Sequence, residues 1–591
     1  MSNKEKKSRH TVRNILIVLL LLAIAGGGAF VYITRTNNLK PAEYERKDIW
    51  LASEGSEIEL VRGTDTVERD ILGRITKRTY EFSEGISLPR GTAAVLINDP
   101  ALDEDGNVIY DKIEYGGEVY YILPESHADT LSDCVKEKEK YVRTSVTIYQ
   151  NEKEARIAGF ARKGSKLDII GYDELKADGS IEMYKVKYGD TEGFVFSKYL
   201  VDTQEEADAV YNVNGIADSH ADDVLADLEL YGGDPKKLDF YPCEKPVFED
   251  NEFCEDVRAM YLSVACSYYI DSYIDVAKAH GVNAMVVDIR DDVVAFDADV
   301  VKEMSPNSLL YYGADDYPNM IKKIKDAGLY CIGRIVCFKN PWYAADHPED
   351  CYPDYYGELI PSVYSRDVWY YNVQLAIEAV RKFGFDEIQF DYVRFDETAW
   401  YKCDRGDFNF GENLYNEDKC EAVQNFLFYA TDMVHREGAY VSMDCFGEPA
   451  SGYVCSYGQH WAAMSNIVDA ISAMPYTDHF DRNPSLWEYP YYTLYNWGKG
   501  AAAENATIAT PATIRTWITA YSVPYFYADE DKIYYGAPEV SDQAQGLWDA
   551  GCTGGFMAWN IACDVYRYDV IDWAWSKDYA NSDGTIYRPW Y

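Results

Sequence analysis

From residue 255 onward, β-rich apolar runs and helical patterns take turns to the end of the chain, and this alternation limits the fold more than any other feature of the sequence. Strands are predicted at 258–265, 284–290, 330–338, 387–394, 439–446, 470–476, 514–521 and 555–561. Helices are predicted between them, for example at 272–279, 317–327, 370–382, 420–437 and 541–550. Eight strands with intervening helices over 255–591 predict an α/β fold of the (β/α)8 TIM-barrel type. A doubly wound open sheet is the alternative, but no glycine-rich dinucleotide turn follows the first strand.

In such a barrel the chemistry sits at the carboxyl ends of the strands. The fourth strand is the most telling. Side chains alternate along it, so Gln389 and Asp391 share one face while Ile388, Phe390 and Tyr392 share the other. Asp391 ends the fourth strand and Asp444 the fifth, which makes them the candidate catalytic pair. Cleavage of a glycosidic bond needs such a pair, one acid to protonate the leaving oxygen and one carboxylate to attack the sugar or activate water. The competing reading makes Asp391 a helix cap or a partner of Arg394, and Asp444 a cap.

Other strand ends supply candidate substrate contacts. Asp288 ends the second strand, Arg334 lies in the third, Arg394 follows the fourth, Tyr476 and His479 follow the sixth, and Trp559 ends the eighth. An inward Arg334 would hold Asp391 ionised, or form a buried ion pair with no chemical role. His479 offers a hydrogen bond and Trp559 a stacking surface, unless both merely pack the barrel rim.

These residues lie in runs that resemble the bacterial putative glycosyl hydrolase domain family, a domain of unknown function grouped with TIM-barrel glycosidases. The runs are Asp288-Ile289-Arg290-Asp291-Asp292, Gly333-Arg334-Ile335-Val336, Gln389-Phe390-Asp391-Tyr392-Val393-Arg394-Phe395 and Ser442-Met443-Asp444-Cys445. The resemblance covers residues 257–560 and implies a sugar-acting barrel. Departures occur after the sixth strand, in Ala473-Met474-Pro475-Tyr476-Thr477-Asp478-His479, and after the seventh, in Arg515-Thr516-Trp517-Ile518-Thr519, where the Tyr, His, Arg and Trp of the family runs are kept and the closing Gln is lost. Gln389 and Asp444 also stand where the wider amylase-like pattern has Arg and Glu.

Upstream, five cations within residues 1–13 precede an uncharged apolar run at 14–33. This predicts a cytoplasmic basic tail, a single transmembrane helix or signal anchor at the cell membrane, and export of everything after it. Cleavage with secretion is the alternative. Residues 34–50 read as a stalk and 202–254 as a linker with a partial helix at 218–230.

Between them lie two β units, 51–126 and 143–201, each with an Asp-Gly hairpin turn at the equivalent place, Asp105-Gly106 and Asp178-Gly179. The second resembles bacterial SH3-like domains and the first is a diverged copy. That resemblance implies small barrels that contact cell-wall peptide or glycan.

A net charge of −43 with no basic stripe excludes nucleic acid as a partner. The 13 cysteines include no C-x-x-C pair, and the 8 histidines fall in no zinc pattern, so neither a metal nor a cofactor is expected. The sequence thus predicts a membrane-anchored, extracytoplasmic glycoside hydrolase with a polysaccharide or peptidoglycan substrate. The alternative is a non-catalytic wall-glycan scaffold, motivated by the departures after strands six and seven.

Overall fold

The computed structural model describes residues 44–72, 74–211, 231–480, 483–523 and 533–580. The chain separates into two compact units, one built on residues 1–140 with 167–187 and 196–198, the other on the remainder.

The N-terminal region holds two antiparallel sheets of seven strands each, running from Arg46–Leu51 to His127–Ala128 and from Glu139–Val142 to Leu200–Val201. With strands counted along the chain within each sheet, both have the order third, second, sixth, fifth, fourth, first, seventh. The same architecture is therefore used twice in succession. In each copy the fourth and fifth strands are joined across the Asp-Gly turn, whose glycine has positive φ, 89° at Gly106 and 78° at Gly179. Residues 46–50, read from sequence as part of a stalk, lie in the first strand, paired with Ala93–Leu102. Residues 141–166 of the second sheet belong to the same compact unit as the C-terminal domain, where Tyr149 stacks on Tyr429 at 5.9 Å and Arg162 pairs with Glu421 at 2.7 Å.

The membrane anchor is corrected. Among the described residues no helix is long and apolar enough to cross a membrane, and the segment 14–33 lies outside them. The two 18-residue helices, Arg366–Phe383 and Lys419–Arg436, both carry charges such as Glu378, Arg381, Glu421 and Asp432, and each buries a side against the protein. The predicted helix at 218–230 also lies outside the described residues.

The C-terminal domain is a nearly closed parallel barrel of nine strands: β1 Val257–Leu262, β2 Ala284–Arg290, β3 Tyr330–Val336, β4 Glu387–Asp391, β5 Tyr440–Phe446, β6 Ala470–Met474, β7 Thr513–Ile514, β8 Thr516–Thr519 and β9 Gly555–Trp559. Their order is β7-β6-β5-β4-β3-β2-β1-β9-β8. The first and last members are consecutive in sequence and flank the single residue Arg515. Every residue of β2 and β4 is buried, as strands covered on both faces must be.

Helices α1 Ile270–His280, α2 Tyr317–Asp326, α3 Arg366–Phe383, α4 Lys419–Arg436, α5 Pro490–Asn505 and α6 Ala537–Asp549 surround the barrel. α3 shows the local logic well. The Ser365 hydroxyl accepts from Val368 N to start it, and Gly384 at φ 68° stops it just before β4. α5 is absent from the sequence expectation because its run of tyrosine, glycine and alanine carries no apolar stripe.

Candidate active site

Period two places Glu387, Gln389 and Asp391 of β4 on the barrel's inward face, and each organises one layer of the interior. At the amino end Glu387 receives Arg515 Nη1 on both carboxylate oxygens, at 2.6 and 2.7 Å, with Ser442 Oγ at 2.5 Å and Tyr330 OH at 3.1 Å. Arg515 divides β7 from β8, so the break in the sheet coincides with the residue whose side chain closes the barrel floor. Above it Gln389 Nε2 reaches Ser472 Oγ at 3.4 Å.

The top layer is acidic and centred on Arg334 of β3. Its Nε and Nη2 donate to Asp391 Oδ2 at 3.1 and 2.6 Å, and its Nη1 donates to Asp288 Oδ1 at 2.7 Å. Asp444 Oδ2 stands 3.8 Å from the same Nε. Asp288 also accepts from Tyr261 OH at 2.5 Å, and Asp444 Oδ1 accepts the indole N–H of Trp517 at 2.7 Å. All four charged residues are at most 4 % exposed. One guanidinium thus faces three buried carboxyl groups, with a fourth, the exposed Asp291, 3.8 Å from its Nη1.

With one cation among several buried carboxyl groups, desolvation favours the protonated form of some of them. Burial holds Asp444 well above the usual carboxylate range, and the neighbouring Asp391 charge adds to this, against Arg334 and the Trp517 hydrogen bond. Burial likewise pushes Asp288 up to about 6, against the opposing pull of Arg334. Asp391 takes the Arg334 fork and also accepts from Tyr392 N at 2.6 Å. That last bond comes with a strained backbone, because Tyr392 has φ 55°, a conformation a bulky residue adopts only under constraint. Strain of this kind gathers at functional sites.

The layer opens into a cavity of ≈ 750 Å³. Of the residues singled out from sequence, Asp391, Asp444, Arg334, Arg394, Tyr476, His479 and Trp559 line it. Asp288 does not, since it sits behind Arg334 and acts on the cavity only through that side chain. Arg394 pairs with Glu397 at 2.9 Å and not with Asp391. Asp444 lies inside β5 and caps no helix there. The Trp559 ring lies tilted against Tyr261 with ring centres 4.4 Å apart, and the Arg334 guanidinium lies 5.8 Å from it.

Trp517, Tyr392, Glu397 and Glu448 also line the cavity and were missed as candidates. Trp517 was within reach of sequence reasoning, because it lies two residues beyond Arg515 and so shares its inward face. Glu397 lies on a loop and Glu448 opens a four-residue 3-10 helix, where no periodicity marks them. None of the 13 cysteines forms a disulfide, and most are buried as small apolar residues. Among the described residues His347, Glu349 and Asp350 are close enough to share a cation, but none of them lines the cavity.

Fold and site together define a parallel α/β barrel whose adjacent fourth and fifth strands bring two carboxyl groups of unlike environment to one aromatic-walled cavity. The chain belongs to the family described as "Putative glycosyl hydrolase domain", which matches residues 259–566. No curated protein matches it. Among solved structures it is similar to the PgaB (BpsB) glycoside hydrolase domain from Bordetella bronchiseptica, at 11 % identity and TM-score 0.39 over 53 % of this chain and 99 % of that one. The C-terminal domain of a putative chitinase from Desulfitobacterium hafniense DCB-2 matches at 10 % identity and TM-score 0.38, over 54 % and 98 %. A hypothetical protein from Ruminiclostridium thermocellum ATCC 27405 matches at 30 % identity and TM-score 0.27, over 31 % and 96 %.

Proposed function

We propose that the barrel, counted as (β/α)8 with β7 and β8 taken as one interrupted strand, hydrolyses glycosidic bonds of a polysaccharide with Asp444 as acid and Asp391 as nucleophile. The observation that carries this is the divergence of two neighbouring carboxyl groups. Asp444 is kept protonated by burial beside a negative charge, and Asp391 is the anion that Arg334 pairs with. A carboxyl group held protonated next to one paired with a cation allows acid and nucleophile roles to be divided between them.

Spacing leaves room for direct attack by Asp391. Both Oδ2 atoms approach Arg334 Nε, one at 3.1 Å and the other at 3.8 Å, which bounds their separation to a range that takes in the retaining distance and only the lower edge of the inverting one. Inverting glycosidases hold their carboxyls roughly 6.5–9.5 Å apart to admit a water, and retaining ones about 5–5.5 Å. Asp444 would protonate the leaving oxygen while Asp391 attacks the sugar. Asp444, now ionised, would then take a proton from the water that releases the sugar. Tyr476, Trp517 and Trp559 supply the flat walls that a sugar ring packs against.

The two seven-stranded sheets we read as a duplicated SH3-like module that holds the barrel near a cell-wall glycan. Their shared strand order supports the duplication.

The test uses the full chain and its Asp391→Asn variant on a panel of peptidoglycan, chitin-type and plant-type polysaccharides, with new reducing ends as readout. Product release by the wild type, reduced at least a thousandfold (roughly 10³) in the variant, is expected. Equal release by both removes Asp391 from the mechanism. Micromolar glycan binding with no release at any pH would make the barrel a scaffold.

A further inference from the structure

Away from the cavity, a cluster of exposed rings on the strand-end side of the barrel lies just past Glu397. Tyr356 is 76 % exposed, Tyr401 53 % and Trp400 37 %. Tyr355 joins them, with ring centres 5.1 Å from Tyr356 and 5.6 Å from Tyr401, and Trp400 stands 5.2 Å from Tyr401. Exposed contiguous rings of this size mark a surface that something covers.

The cluster is rigidly built. Its hairpin, Cys351–Pro353 with Leu359–Pro361, is tied to the loop after β4 by Tyr352 OH donating to Asp396 Oδ2 at 3.0 Å. Tyr355 N donates to Thr398 Oγ1 at 3.1 Å, and Lys402 Nζ to Pro353 O at 2.7 Å. Asp396 and Lys402 are themselves buried, so the rings are held outward by a satisfied polar frame. The Arg405 guanidinium lies 3.8 Å from the Tyr355 ring and fixes its face.

We propose that Tyr355, Tyr356, Trp400 and Tyr401 form an accessory binding surface for a polymeric glycan whose chain continues out of the cavity. The proposal rests on the reading of the cavity as a glycosidase site. Continuity is what selects a glycan over a protein partner. Arg394 and Glu397 line the cavity, and Trp400 follows Glu397 by three residues on the same loop after β4. A polysaccharide with a few sugars inside the cavity extends beyond it, and on the side of Glu397 the ring faces of Tyr and Trp offer it amphipathic contact with little entropy to lose.

The test is affinity electrophoresis of the full-length Asp391→Asn protein through gels containing glycol chitin, hydroxyethylcellulose or solubilised peptidoglycan strands. The same protein carrying Trp400→Ala and Tyr401→Ala, or Tyr356→Ala alone, is run beside it, with near-ultraviolet circular dichroism as a check on folding. At least one polymer should retard the parent, with apparent affinity falling about tenfold in the double variant and recovering with Trp400→Phe. Equal retardation of parent and variants, or retardation by none of the polymers, overturns the proposal. Reducing-end release by the wild type is scored separately. Retardation without release would sink the glycosidase reading and leave this surface standing, and release without a difference in retardation would do the reverse.

Discussion

Replacing Arg515 by leucine tests whether the barrel floor is held by a buried ion pair. Both Arg515 and Glu387 are 0 % exposed, and the pair is bidentate with Ser442 and Tyr330 completing the carboxylate's shell. Removing the cation strands a carboxylate with two hydroxyl donors in a layer without water. Breaking such a pair costs about 3–5 kcal/mol, most of it the penalty on the charge left behind. The loss should therefore shrink when the charge is removed in either of two ways. Lowering the pH lets the stranded carboxyl take a proton, which recovers about 1.4 kcal/mol per pH unit until the cost of the charge is gone. Adding Glu387→Leu removes it outright, so the double variant should be more stable than the single one. Urea unfolding of the barrel, followed by tryptophan fluorescence at pH 7 and pH 5 for wild type, both single variants and the double, measures all of this. A single variant no less stable than wild type, or a double variant as unstable as Arg515→Leu at pH 7, would refute the reasoning.

Two further expectations concern the acidic layer. The folded carboxyl of Asp288 titrates near 6, above its unfolded value of 3.8, so the neutral form is the one folding favours. Its contribution is fully present below pH 3.8 and is lost as pH rises through about 6, a change on the order of 3 kcal/mol. Asp288→Asn should flatten the stability curve by that amount between pH 4 and 7 in urea titrations, and an unchanged slope counts against it. Trp517→Phe deletes the indole hydrogen bond that favours ionised Asp444. The acid then stays protonated to higher pH, and the alkaline limb of the kcat/KM profile should move up by about one unit. A limb that stays put or moves down would mean that Asp444 is not the acid.

The fold of the barrel was readable because its strands are buried on both faces and announce themselves as apolar runs with acids at their carboxyl ends. Asp391 and Asp444 could be brought to one place by parity and strand order alone. Depth could not. Period two says that Glu387, Gln389 and Asp391 face inward, but only the structure separates the floor, where Glu387 meets Arg515, from the top, where Asp391 meets Arg334. For the same reason Asp288 was placed among the substrate contacts when it stands one side chain behind them. Arg515 reads in sequence as a retained residue of a family motif that is otherwise altered, and its role in the floor depends on a partner 128 residues away. The anchor expectation meets no spanning helix among the described residues, and the segment 14–33 lies outside them.

The two N-terminal sheets share one strand order and follow each other directly in the chain. Neighbouring copies of one topology risk trading strands while they fold, so that a hairpin from one completes the sheet of the other. The sequences of the copies differ at most positions, and a strand taken from the wrong copy would bring the wrong apolar pattern to its neighbours. The dissimilarity of the two copies would then be a safeguard, making the misassembled product less stable than the correct one during synthesis.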